Sequence, residues 1–136
     1  MKAILFLLLT SFVFAEGDFN FSKKFSGTFN GKKLDYTAKV YEKVIFERDD
    51  STKPLASFVI TEYSVDNQKN RPVMFSFNGG PGSASLWLHM GVLGPKVVKV
   101  PSDASDDGSP PYNLINNKLS PLDKADLVFI DPIGTG

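Results

Sequence analysis

Asn78-Gly79-Gly80-Pro81-Gly82 puts three glycines among five residues, directly after the apolar run Val73-Met74-Phe75-Ser76-Phe77 and shortly before Leu86-Trp87-Leu88. A loop of this kind, between a strand and a helix, suits an anion. Glycine permits φ > 0 and lets a ligand approach the main chain closely. Amide N–H groups at the start of a helix lack intrahelical partners and stand at the positive end of the helix dipole. The loop can therefore receive a phosphate, a carboxylate or the oxyanion of a tetrahedral intermediate. Two phosphate readings fail on the residues themselves. A P-loop requires Gly-Lys-Ser/Thr, and here Gly82 is followed by Ser83-Ala84. The dinucleotide fingerprint requires a further glycine at helix spacing together with a downstream acid on the next strand, and that pattern does not fit either. The plainer alternative is a tight turn without function.

The other reactive side chains read less sharply. His89, the one histidine, falls in the helix after the loop and is expected to pack or to support a neighbour rather than act as a base. Ser83 is expected to cap that helix, Ser85 to be a hydroxyl on its surface, and Asp131 to shape the turn before Pro132. No Gly-x-Ser-x-Gly elbow occurs. The chain has no cysteine, which excludes a Cys nucleophile, a Cys-bound structural zinc and a disulfide framework. No metal cluster or cofactor fingerprint is visible, and no cofactor is expected.

The elements that must position the loop follow from the surrounding pattern. Residues 26–63 read as antiparallel strands. Asn30-Gly31 is a hairpin signal, since both residues tolerate φ > 0. Tyr36 to Tyr41 and Val44 to Glu47 form β-prone runs, residues 49–54 are a polar turn, and Ala56 to Tyr63 alternates. After the polar loop Asp66 to Arg71, the run from Val73 to Phe77 has the continuous apolarity of a strand buried on both faces. The helix carrying Leu86, Trp87, Leu88 and Met90 is expected to end near Gly91 or Gly94, with Pro95 beyond. A strand over Val97 to Val100 and a long Asp/Ser/Pro-rich loop over 101–111 come next. Leu127 to Ile130 is a second buried-type strand, followed by Asp131-Pro132-Ile133-Gly134-Thr135-Gly136. The order predicts an α/β chain: an antiparallel meander leading into a doubly wound mixed sheet.

The 136 residues suit one domain, and 42% apolar with 22% charged residues describes a globular chain. Fifteen basic residues balance fifteen acidic ones, so no nucleic-acid footprint and no basic membrane stripe is expected. Lys2 followed by the apolar run Ala3 to Phe14, with Val13-Phe14-Ala15 at its end, reads as a signal peptide over residues 1–15 cleaved after Ala15. The run is short for a bilayer core of roughly 30 Å. A secreted or periplasmic protein follows, with no membrane association after cleavage. A buried N-terminal helix is the competing reading. Asn20-Phe21-Ser22 also fits a glycosylation sequon.

The stretch from Asn78 to Leu86 resembles the NGGPG-x-S-S motif of the serine carboxypeptidase family. The resemblance continues through Trp87-Leu88-His89-Met90-Gly91 to Leu93-Gly94-Pro95. It returns at Asn117-Lys118-Leu119-Ser120 and at Asp126 to Gly136. It spans roughly residues 26 to 136, and Arg71-Pro72 suits bacterial-type members. The resemblance implies an α/β-hydrolase fold, with residues 16–136 as its N-terminal portion, and an enzyme that removes C-terminal residues from peptides through an acyl-enzyme. It implies that Asn78 and the Gly79 N–H hold the substrate's free carboxylate, and that the Gly80 N–H is one oxyanion donor. Trp87 would line the leaving-residue pocket or, alternatively, pack as a core aromatic. The family's Ser, Asp and His triad follows the residues matched here, so the chain alone is expected to be inactive.

Two departures stand out. Ser83 occupies the place of a Cys found in many members, and Val92 that of a Glu which, in eukaryotic members, helps bind the substrate carboxylate. Proline iminopeptidases share the glycine loop, but normally with His where Asn78 stands and Arg where Pro132 stands. An acyltransferase relative would keep all these motifs. A secreted β-rich binding module would account for residues 26–63 only. Peptide or protein C-termini are the expected partners, and the oligomeric state is open.

Overall fold

The computed structural model describes residues 20–80, 82–101, 103, 105 and 110–135. The signal-peptide reading of residues 1–15 and its cleavage point lie outside them. Seven strands are present: β1 Asn20–Phe29, β2 Lys32–Phe46, β3 Pro54–Val65, β4 Val73–Ser76, β5 Lys96–Val98, β6 Leu114–Asn116 and β7 Asp126–Asp131. A single α-helical turn, α1 Leu86–Leu88, runs into a π-turn over His89–Leu93, and a 3-10 turn spans Pro121–Asp123. The main sheet has the order β1-β2-β3-β7-β4, and β5 with β6 forms a separate ribbon.

The meander arises as its turn residues dictate. Asn30 and Gly31 both take positive φ, 48° and 81°, which closes a two-residue hairpin with Phe29 opposite Lys32. The next turn is held by Asp50, whose carboxylate accepts from the Thr52 N–H at 3.0 Å and the Thr52 hydroxyl at 2.6 Å. The two runs expected over 36–47 are one long strand, and β1 begins six residues before the expected position 26, at Asn20. The pairing then changes sense. β7 lies antiparallel to β3 and parallel to β4. A mixed sheet with a parallel pair at one side is the α/β outcome. The doubly wound expectation goes further than the observed helices, which among the described residues are single turns.

Leu127 to Ile130 forms as a strand over its full length, with Leu127 and Phe129 almost inaccessible. The other strand expected to be buried is not. β4 is the sheet's edge, and Val73, Phe75 and Phe77 are exposed. Apolarity marks a surface that favours burial; it does not supply the neighbour that performs it. The strand expected over 97–100 is the short β5, which pairs with the unanticipated β6 and not with the main sheet.

One face of the sheet carries the core: Phe29, Tyr36, Val65, Leu122, Leu127 and Phe129, with Phe25, Leu34, Tyr63, Leu88 and Leu93 against them. His89 is part of it. Its ring stacks on Phe129 at 4.5 Å between centroids, and its Nε2 is 2.6 Å from the Tyr63 Oη. Burial pushes the Tyr63 hydroxyl up to about 12, with Tyr36 adding to the effect, so the phenol keeps its proton. Burial also holds the His89 ring below its ordinary value, against a smaller opposing pull from Asp131. We therefore assign the phenol as donor to a neutral ring. The expectation that His89 packs and supports a neighbour agrees with this placement.

The π-turn depends on Gly94. Its N–H donates to the His89 carbonyl at 2.9 Å, and a Cβ at Gly94 would stand 2.4 Å from that same oxygen. The helix ends there, as its sequence position suggested. Polar side chains then fasten the turn. The Asn117 amide donates to the carbonyls of Val92 at 2.7 Å and Gly94 at 2.9 Å, and the Ser120 hydroxyl donates to that of Leu93 at 2.7 Å. Carbonyls left open at the end of a helix are thus satisfied from a distant loop.

Two measurements check these arguments. Gly94→Ala should lower the unfolding free energy in urea by about 1–3 kcal/mol, the usual scale of overpacking; an unchanged midpoint would contradict the contact. The folded state prefers a neutral His89, so below 6.5 the unfolded chain takes up the proton more readily. Stability should be fully present above that pH and decline as the pH falls towards 5. His89→Gln should flatten that decline, and equal slopes in the two proteins would remove His89 as its cause.

Candidate functional site

β4 and β7 are parallel neighbours with Ser76 opposite Phe129, so the segments that follow them leave the sheet at the same end. The glycine loop follows β4 and Asp131-Pro132-Ile133-Gly134 follows β7. Clefts at the carboxyl ends of parallel strands are where ligands bind in open α/β sheets. The tertiary structure therefore brings the two sequence motifs to one edge.

Asn78 is half-buried, and Gly79 and Gly80 are exposed. Gly80 and Gly82 have φ of 80° and 86°, a region in which any side chain is strained. A Cβ at Gly79, Gly80 or Gly82 would meet nothing within 4 Å. Among the described residues, neither the Gly79 nor the Gly80 amide donates to a main-chain carbonyl, and no hydrogen bond engages the Asn78 side chain. The loop thus presents two consecutive main-chain donors and one neutral side-chain amide without internal partners.

The helix contributes less than its sequence suggests. Only one α-helical turn follows the loop, so a long aligned dipole does not stand behind it. Ser83 is not its cap. The turn begins after Ser85, and no side chain caps it. Ser85, expected on the helix surface, is 1% exposed. Its hydroxyl donates to the Ile130 carbonyl, its N–H donates to the Asp131 Oδ1 at 2.7 Å, and its carbonyl accepts from the His89 N–H at 2.8 Å. Asp131 therefore does more than shape the turn before Pro132; the turn that follows, Pro132 to Thr135, is closed by the Thr135 hydroxyl donating to the Pro132 carbonyl. Its carboxylate reaches across to the start of the helix.

Trp87 is 73% exposed, so it does not pack as a core aromatic against the described residues. Val92 is exposed on the π-turn. Among the described residues no group of three or more acidic, histidine or cysteine side chains could hold a metal, and no helix is long and apolar enough to cross a membrane.

Further ties were not anticipated. The Arg71 Nε donates to the Asp126 Oδ1 at 2.8 Å, and its guanidinium also donates to the Leu122 carbonyl at 2.5 Å. Asn30 donates to the Asp123 Oδ1 at 2.8 Å, which is the main cause holding that carboxyl below its usual range, aided by Lys124 and Lys32. Both pairs join residues far apart in the chain, so local pattern carries no signal of them. The repeated polar letters of Asn117-Lys118-Leu119-Ser120 were the available hint of a clasp.

Residues 50–136 match the model of the serine carboxypeptidase family, which is more than half of the chain. No curated protein and no solved structure matches the chain. The matched span holds the glycine loop, the Asn117 clasp and β7 with the motif after it. The likeness read from the residues began near position 26; the family match begins at Asp50, so β1 and β2 lie outside it. With the glycine loop and the β7 motif inside one matched span, this chain belongs to the serine carboxypeptidase family.

Proposed function

We propose that this chain supplies the carboxylate-binding and oxyanion-binding loop of a serine-type carboxypeptidase, on the N-terminal portion of an α/β-hydrolase fold. The observation that carries the reading is that, among the described residues, the Gly79 and Gly80 amides and the adjoining Asn78 side chain have no hydrogen-bond partner, at the carboxyl end of β4. The mixed sheet, in which a meander passes into a parallel pair, supports the fold.

A peptide's scissile carbonyl and its terminal carboxylate are one residue apart, about 3.3–3.6 Å of extended chain. Gly79 and Gly80 are also one residue apart. In this arrangement the Asn78 amide and the Gly79 N–H donate to the terminal carboxylate. The Gly80 N–H donates to the oxygen that gains charge as the tetrahedral intermediate forms. Neutral donors suit this task because they bind an anion without requiring a titrating partner. One oxyanion donor is typically worth about 10²–10³ in rate. Trp87, exposed next to the loop, contacts the departing C-terminal residue. The nucleophile, acid and base are assigned to no residue of this chain. The apolar leader at residues 1–15 accords with a secreted or periplasmic enzyme acting on peptide C-termini. Hydrolysis is favoured over acyl transfer only by the family's activity.

Titrating the isotopically labelled chain with N-acetyl-phenylalanine should move the Gly79 and Gly80 amide resonances, whereas the corresponding C-terminal amide should leave them in place. Asn78→Ala should weaken the response by about 1.5–3 kcal/mol, the range for a hydrogen bond to a charged group. Equal responses to acid and amide, or none to either, would discard the carboxylate cradle. The purified 136-residue chain should not hydrolyse a blocked dipeptide; measurable turnover would overturn the assignment of the nucleophile elsewhere.

A further inference from the structure

The segment from Phe77 to Ala84 is held at both ends by one strand. At its start, Ser76 pairs with Phe129 of β7. At its end, Ser85 is bound to the next two residues of the same strand, by its hydroxyl to the Ile130 carbonyl and by its N–H to the Asp131 Oδ1 at 2.7 Å. Ser85 is buried, so these bonds are shielded from competing water. The Ser85 N–H to carboxylate bond is charge-assisted and short, the stronger kind. Between the two anchors the described glycines have open space around them. A Cβ at Gly79, Gly80 or Gly82 would meet no atom within 4 Å, and the Gly79 and Gly80 amides have no partner among the described residues. Glycines in open space take their placement largely from where the flanking residues are fixed, since glycine imposes the least conformational preference of its own.

We propose that Asp131, acting through the Ser85 N–H, is the positioning residue that sets the placement of the Gly79 and Gly80 donors. This rests on the carboxylate-cradle reading for its purpose, though not for its geometry. Asp131 touches no substrate in this role. It fixes the point from which the chain returns to the helix, and the Ser85 hydroxyl fixes the same point a second time. The requirement at position 131 is an acceptor oxygen at the right reach, so an amide can replace the acid while a methyl cannot.

The test compares Asp131→Ala, Asp131→Asn and Asp131→Glu in the labelled chain near pH 7.5, above the ordinary range of a histidine. With the β1–β3 resonances unchanged as the sign of an intact fold, Asp131→Ala should shift the ligand-free amides of Gly79, Gly80 and Gly82. It should also weaken N-acetyl-phenylalanine binding roughly tenfold, the scale of one lost hydrogen bond to a charged group. Asp131→Asn should restore both, a rescue that general loss of stability would not give. Wild-type amide positions and affinity in Asp131→Ala would overturn the proposal while leaving the cradle standing. Absence of any carboxylate response in the wild-type chain would remove the cradle; the ligand-free shifts in Asp131→Ala against Asp131→Asn would still decide the positioning role. If Asp131→Ala does not fold, Asp131→Glu, which keeps the carboxylate but displaces the acceptor by one methylene, must shift the same glycine amides, and unmoved glycines there would end the proposal.

Discussion

Leu127 pairs with Tyr63 on one side and with Met74 on the other. Through that insertion β7 becomes the strand with neighbours on both edges at the join between the antiparallel meander and the parallel pair. Its burial follows from its place. Leu127 and Phe129 enter the core while their backbones satisfy two ladders at once. Polar groups at its ends extend the same hold: Asp126 takes the Arg71 guanidinium and the Val65 N–H, and Asp131 takes the Ser85 N–H. A strand so placed fixes the glycine loop relative to the meander, because both are measured from it.

The aromatic core continues the same logic. Phe129 stacks on His89, and Tyr63 meets both rings. The helical turn that follows the glycine loop is thereby packed directly onto the strand that anchors the loop. Its far end is closed by Asn117 and Ser120, so both termini of a very short helix are supported from elsewhere. A helix of this length has no independent stability, and tertiary contacts supply it. The Gly94 close approach to the His89 carbonyl is the local requirement for the wide turn.

The sheet's two edges differ in character. β1 carries Lys23 and Lys24, charges of the kind that discourage pairing with another strand. β4 carries Val73, Met74 and Phe75 without a charge, and Phe77 follows it. The exposed glycine loop follows directly from that second edge.

By itself the sequence determined the features that depend on local backbone preference. Asn30-Gly31 specified a two-residue hairpin, the apolar run at Leu127 specified a strand, Gly91 or Gly94 marked the end of the helix, and three glycines among residues 78–82 marked a loop. The motif letters also sufficed for the family. What only the tertiary structure decided were the relations between distant segments. It set β7 between β3 and β4, left the β4 run at an exposed edge, buried Ser85 against Asp131 and Ile130, and turned Asn117 back onto the π-turn. Periodicity records how strongly a segment favours burial and in which direction its side chains alternate. It holds no information about which strand arrives alongside, so the partner of a buried hydrogen bond becomes definite only when the chain has closed upon itself.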